Sequence, residues 1–242
     1  MKVETPEDME GNSDFPSHRV RVGSLDVHYK CFGEGPPIIL LHGLGNDWSQ
    51  WHDNLAFFAR SFRVHALDMP GFGLSADPGV PVTPGWYASF MKIFMETVGI
   101  GAADVVGHSF GGAVALELAV AFPERVRRMV AIDAAGLGPI PNRVRWLYSL
   151  YAFMDRVKRR KRAKPGGTLD DWVLTKHLGR IRSRVMIVWG GRDPYFPLSQ
   201  ARKAQRLIPF CRLQVFPCTC HAPQREFPDE FHQTVYKFLT EQ

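Results

Sequence analysis

The 242 residues carry 45% hydrophobic and 22% charged side chains, proportions of a packed globular chain that exclude a fibre, a repeat array or a disordered tail-like protein. The net charge of +6 is local: Arg156 to Lys164 holds seven basic residues and no acid, and removing those seven charges from +6 leaves −1. The basic balance therefore excludes a chain-wide affinity for nucleic acid.

Residues 1–17 hold Glu4, Glu7, Asp8, Glu10 and Asp14, and read as an acidic tail; a secretory leader would need a basic start and an apolar middle. Four cysteines, Cys31, Cys211, Cys218 and Cys220, offer no disulfide framework, so a reducing cytoplasm is the expected setting. Cys218, Cys220 and His221 lack the second ligand pair of a zinc site, and no metal is expected.

In chain order, Arg19–Val22 and Leu25–Tyr29 alternate around Gly23-Ser24 and predict an antiparallel hairpin. Pro37–Leu41, with four consecutive aliphatic residues, predicts a strand buried on both faces. Strands at Phe62–Leu67, Ala103–Val106, Met129–Ile132, Val185–Trp189 and Leu213–Phe216 then alternate with helices at Pro84–Val98, Phe110–Ala121, Leu198–Leu207 and Phe231–Leu239. That order predicts an α/β fold: a mostly parallel sheet of eight strands with helices on both faces. Residues 138–183 contain no strand pattern and interrupt the rhythm. They are expected to form a small helical cap above the carboxyl ends of the strands, inserted between core segments 18–137 and 184–242.

Three elements carry chemistry: a serine turn, an acid–histidine pair and a glycine-rich loop. Gly107-His108-Ser109-Phe110-Gly111 lies between a strand and a helix, the context in which a G-x-S-x-G turn lifts a serine hydroxyl out of the backbone. Ser109 is the expected nucleophile. A serine needs a base, and the base needs an orienting acid. Asp193 and His221 follow successive strands in the order serine, acid, histidine. Asp133, also at a strand end, is a weaker alternative acid. His232, inside the last helix, is expected at the surface. His108 is expected to point away from Ser109 Oγ. The third element, His42-Gly43-Leu44-Gly45, follows the buried strand; Leu44 and Phe110 are the expected backbone donors to an oxyanion, with His42 bracing the loop. Asp68-Met69-Pro70-Gly71-Phe72-Gly73-Leu74-Ser75 lacks the lysine of a phosphate loop and reads as a structural turn.

The segments HGLG, DMPGFGLS, GHSFGG, WGGRDPYFP and HAPQREFP resemble the successive motifs of the α/β-hydrolase family, in its cap-bearing serine esterase branch, over about residues 19 to 240 apart from the cap. The resemblance implies Ser109, Asp193 and His221 as a catalytic triad, Leu44 and Phe110 as oxyanion donors, and no cofactor. Cys220 departs from the glycine usual before the family's histidine, and the short cap with its basic run is also unusual. Dehalogenases and epoxide hydrolases of this branch place aspartate at the Ser109 position, which disfavours both. The expected reaction is hydrolysis of a small carboxylic ester with a short to medium acyl chain. The alternatives are a carbon–carbon bond hydrolase of the same fold and a non-catalytic small-molecule receptor. The aromatics Trp146, Tyr148, Tyr151 and Phe153 either form an apolar lid or pack the cap on the sheet. Arg156–Lys164 is expected to be a solvated part of the cap, with weak, salt-sensitive contact to anionic membranes as the sharper alternative.

Overall fold

The computed structural model describes residues 15–157 and 168–241, of which 151–157 are described by their backbone alone. Most of the acidic tail and the basic stretch Lys158 to Lys164 lie outside the described residues.

Eight strands form a single sheet in the order β1-β2-β4-β3-β5-β6-β7-β8. β1 (Ser17–Val22) and β2 (Leu25–Phe32) make the leading hairpin, and β2 also runs antiparallel to β4 (Arg63–Leu67). The other pairings are parallel: β4 with β3 (Pro37–Leu41), then β5 (Ala103–His108), β6 (Val126–Ile132), β7 (Arg184–Gly190) and β8 (Cys211–Phe216).

The continuous aliphatic run of β3 is explained by its two covered faces. Ile39 and Leu41 face the core built by α2 (Pro84–Thr97), α3 (Phe110–Ala121) and α5 (Leu198–Leu207). Ile38 and Leu40 face the core built by α1 (His52–Ala59) and α7 (Pro228–Thr240). At about 25 cal/mol per Å² of apolar surface removed from water, each of these side chains contributes about 1.5–3 kcal/mol. α3 is buried everywhere except Glu117 and Ala121, which is why its sequence is small and apolar rather than amphipathic. α2 starts with a conventional cap: Thr83 Oγ1 accepts from Trp86 N at 3.1 Å and Pro84 occupies the first turn.

β3 sits at the point where the chain reverses its direction of winding, with β4 on one side and β5 on the other. Ligand sites in such sheets form at that crevice, beyond the carboxyl ends of the strands. The segment between β6 and β7 holds α4 (Asn142–Val157) and two single 3-10 turns, Leu169–Trp172 and Leu178–Arg180, with no strand among its described residues. No helix of the described residues is long and apolar enough to cross a membrane.

One expectation needs correction. His232 is not at the surface: it is 7% exposed and stacks on Phe57 at 4.3 Å, because its position on α7 faces α1. Of the two alternatives for the aromatics, Trp146 does not take the packing one: it is 65% exposed. The side chains of Tyr151 and Phe153 lie outside the described residues.

Candidate active site

The loop Gly107 to Gly111 turns so tightly that Cβ atoms on either flanking glycine would overlap backbone, Gly107 that of Gly111, and Gly111 that of Leu41 and His42. Ser109 at the centre has φ +53°, a region costly for any residue with a side chain. A serine opening a helix ordinarily caps it with its hydroxyl. Here the strained backbone prevents that bond, so Oγ stays available at the amino end of α3, where the helix dipole favours negative charge. Ser109 N donates to Ile132 O at 2.8 Å, which holds the turn to the end of β6.

Asp193 and His221 meet. His221 Nδ1 donates to Asp193 Oδ2 at 2.9 Å, and Asp193 Oδ1 accepts from the backbone N–H groups of Tyr195 and Phe196 at 2.6 and 3.2 Å. Three donors thus hold a carboxylate whose side chain is 1% exposed. The bond engages Nδ1 and leaves Nε2 for the reacting proton, the arrangement of a general base. The rings of Tyr195 and Phe196 flank His221, with centroids 4.6 and 5.9 Å away. Among the described residues no hydrogen bond joins Ser109 Oγ to His221. In free hydrolases this contact is often long and tightens with substrate.

The backbone around His221 is clamped from three directions. Glu226 accepts from Cys220 N at 2.8 Å and from Ala222 N at 3.0 Å. His108 Nε2 donates to His221 O at 2.6 Å. Gly190 lies so close beneath that any Cβ there would collide with the Cys220 carbonyl. Cys220 itself is exposed.

His108 belongs to a buried chain of hydrogen bonds that sequence reading missed. Gly43 N donates to Gln50 Oε1 at 2.7 Å, Gln50 Nε2 donates to His108 Nδ1 at 2.5 Å, and His108 Nε2 passes the chain to the His221 carbonyl. Burial, with the neighbouring His221 next in size, pushes His108 down to about 3, so the ring stays neutral and both nitrogens keep these roles. The chain links the loop after β3, the serine turn and the histidine loop. As expected, His108 does not face Ser109 Oγ. Nothing in the local sequence marked Gln50.

The loop after β3 lies against the serine: a methyl group built on Gly43 would stand 3.5 Å from Ser109 Cβ. His42 braces it, donating from Nδ1 to Gly43 O at 2.8 Å and accepting from Met69 N at 3.0 Å. Burial lowers its basicity. Leu44 follows in this loop. Phe110 opens α3, so its N–H has no acceptor inside the helix. The Phe110 ring is surrounded by Trp172, Tyr87 and Phe72, with centroids at 5.0, 5.3 and 6.4 Å, and Tyr148 packs on Trp172 at 6.2 Å. Trp172, from the segment between β6 and β7, packs directly on the Phe110 ring.

The glycine-rich turn after β4 is structural. Asp68 accepts from Trp48 N, Leu74 N and the buried His28 ring at 2.8, 2.8 and 2.7 Å. Asp133, Asp193 and His221 bring three ligand-type atoms within 4.8 Å of one another. Asp193 already accepts three N–H groups and His221 Nδ1 carries a proton, so the donor set suits acid–base chemistry and does not fit a cation.

A serine lifted on a strained strand-to-helix turn, with an Asp–His pair after later strands, agrees with what comparison with known proteins finds. Residues 36–172 match the model of the alpha/beta hydrolase fold family. The chain belongs to this family. It is 29% identical to 2-hydroxy-6-oxo-6-phenylhexa-2,4-dienoate hydrolase from Comamonas testosteroni, across 88% of this chain and 91% of that one. It is 30% identical to the dihydrolipoyllysine-residue acetyltransferase component of the acetoin cleaving system from Cupriavidus necator, across 98% of this chain and 73% of that one. Among solved structures, carboxylesterase CesB from Bacillus subtilis superposes with a TM-score of 0.82 at 21% identity, covering 94% of this chain and 92% of that one. That last likeness is one of fold.

Proposed function

We propose that this hydrolase cleaves carboxylic esters through an acyl-enzyme, with Ser109 as nucleophile, His221 as base and Asp193 as the orienting acid. The observation that carries the reading is the 2.9 Å bond from His221 Nδ1 to a carboxylate held by two further N–H donors, with the His221 carbonyl bonded to His108, the residue before a serine whose strained backbone frees its hydroxyl. Ser109 Oγ attacks the ester carbonyl while its proton passes to His221 Nε2. The tetrahedral oxyanion takes hydrogen bonds from the N–H groups of Leu44 and Phe110. Collapse expels the alcohol, which takes the proton from His221 and leaves an acyl group on Ser109. Water, deprotonated by His221, attacks that ester in turn and releases the acid.

The segment between β6 and β7 acts as the cap. Its Trp172 lies against Phe110, which supports an apolar wall beside the reacting carbonyl and short to medium acyl chains. Activity should rise with chain length only until the pocket fills, at roughly 0.8 kcal/mol per buried methylene. A second reading is favoured by similarity over most of the chain to two Comamonas testosteroni hydrolases of 6-oxo-dienoates: the same groups would cleave a carbon–carbon bond beside a ketone.

The test is a panel of aryl esters of increasing acyl length run beside 2-hydroxy-6-oxo-6-phenylhexa-2,4-dienoate, with wild type and Ser109→Ala. Ester turnover that falls by about 10⁴–10⁶ in the variant supports the proposal. Preference for the dienoate selects the second reading, and an active Ser109→Ala removes both.

A further inference from the structure

Asp133 ends β6 in an unusual state. It and Ser109 are the two non-glycine residues with positive φ among the described residues, +41° and +53°, and both stand at strand ends on the same rim. Such a backbone costs about 1–3 kcal/mol and persists where the surroundings enforce it. The surroundings are visible. Asp133 N donates to Val188 O at 3.0 Å, and Asp133 Oδ1 accepts from Gly190 N at 2.8 Å. The other oxygen, Oδ2, is buried and meets no donor. Asp133 is 0% exposed, and a carboxylate oxygen of Asp133, one of Asp193 and a nitrogen of His221 lie within 4.8 Å of one another.

A bare carboxylate with an uncompensated oxygen at that depth, facing a second carboxylate, is electrostatically untenable. Two carboxyl groups so close share a proton. The neighbours decide which group keeps it. Asp193 is served by three N–H donors, Asp133 by one. The proton therefore stays on Asp133. Burial, and then the charge of Asp193, push Asp133 up to about 9. The other titratable groups around it are His221 and Glu226, in the segment after β8, and the neutral His108 at the end of the neighbouring strand.

We propose that Asp133 is a positioning residue: its carboxylic acid gives a hydrogen bond to the Asp193 carboxylate and holds that group opposite His221 Nδ1. Asp133 is thus a proton-bearing support for the acid and not a competitor for its place. It does not touch substrate. The inference rests on the assignment of Asp193 and His221 to the reaction, and Ser109→Ala, assayed alongside, tests that assignment independently of Asp133.

Two variants and one spectrum decide it. Asparagine at 133 keeps an acceptor for Gly190 N and a donor toward Asp193, but cannot ionise. Asp133→Ala should lower kcat by roughly 10- to 100-fold at pH 7 with KM little changed, as expected when a reacting group is misplaced by about 1 Å. Asp133→Asn should recover most of that loss. Wild-type kcat/KM should decline above about pH 9, where Asp133 ionises and two like charges push Asp193 off its station; Asp133→Asn should lack that decline. Infrared difference spectra of wild type against Asp133→Asn should show a protonated carboxylic acid at pH 7 that is lost in the variant, a readout that holds even if the alanine variant does not fold. Asp133→Asn as inactive as Asp133→Ala, an alkaline decline shared by wild type and Asp133→Asn, or the absence of the acid band would each overturn the proposal.

Discussion

Replacing His108 with glutamine separates its role in holding the site from its titration. In the folded protein the ring is buried between Gln50 and the His221 carbonyl and gains a proton only near pH 3. In the unfolded chain it gains one near its ordinary value of 6.5. Below 6.5 the unfolded state therefore binds a proton that the native state refuses. Stability from this residue is complete above 6.5 and is lost as the pH falls toward 3, by about 1.4 kcal/mol per pH unit once uptake is complete. Between pH 7 and pH 5 the integrated loss is about 2 kcal/mol. Glutamine does not titrate. His108→Gln should cost about 1–3 kcal/mol at pH 7, because it can satisfy either Gln50 or the His221 carbonyl and leaves the other unpaired. That deficit should shrink by about 2 kcal/mol at pH 5. Urea unfolding at pH 7, 6 and 5 measures both quantities, provided the denaturant slopes agree. Other buried groups, such as His65 held down to about 4, are common to the two proteins and cancel in the difference. Stability curves that run parallel from pH 7 to pH 5 would refute the buried, neutral His108.

Asp193→Asn should lower kcat by about 10⁴ while the fold survives, since an amide opposite His221 Nδ1 no longer fixes the tautomer; steady-state kinetics and a thermal melt read the two effects. Trp172→Ala should flatten the dependence of kcat/KM on acyl length in the ester panel, because the wall beside Phe110 is lost; an unchanged dependence would place the acyl group elsewhere. Arg156–Lys164 remains a proposed contact for anionic membranes, at about 1 kcal/mol per basic residue near the surface. Wild type should co-sediment with anionic vesicles at low salt and be released at high salt. A variant with serine in place of Lys158, Arg159, Arg160, Lys161 and Arg162 should not bind, and equal, negligible binding by both proteins at low salt eliminates the contact.

What the sequence disclosed, and what it hid, follows from how local each signal is. The buried strand at Pro37–Leu41 and the helix at Phe110–Ala121 are legible to the residue because each is a continuous apolar run with a sharp turn at one end. β6 was expected from Met129 but begins at Val126, because two arginines precede the aliphatic stretch. Arg127 is accommodated there by Asp104 on the neighbouring strand, 2.7 Å away, a partner 23 residues earlier that no window of sequence reveals. The order of Ser109, Asp193 and His221 was legible because each follows a strand of a parallel sheet, and such strands end on one rim. Gln50 and the state of Asp133 were not, since both depend on contacts between segments separated by 57 or more residues. His232 was misplaced because a histidine on an amphipathic helix counts as polar until a ring such as Phe57 is found stacked on it.

The two strands that bracket the proposed cap are neighbours in the sheet, with Ile132 opposite Val188. The ends of the insertion are therefore joined by the core itself, whatever lies between them. Doubling the length of such a loop costs only about 0.6 kcal/mol of closure entropy. The proposed cap can thus be exchanged for longer, shorter or foreign segments while Ser109, Asp193 and His221 keep their stations on strands that do not depend on it. Chimeras that graft other caps between β6 and β7 of this chain would change which substrate is admitted and leave the chemistry in place, provided each graft brings its own apolar cover for Phe110, the ring that Trp172 now shields.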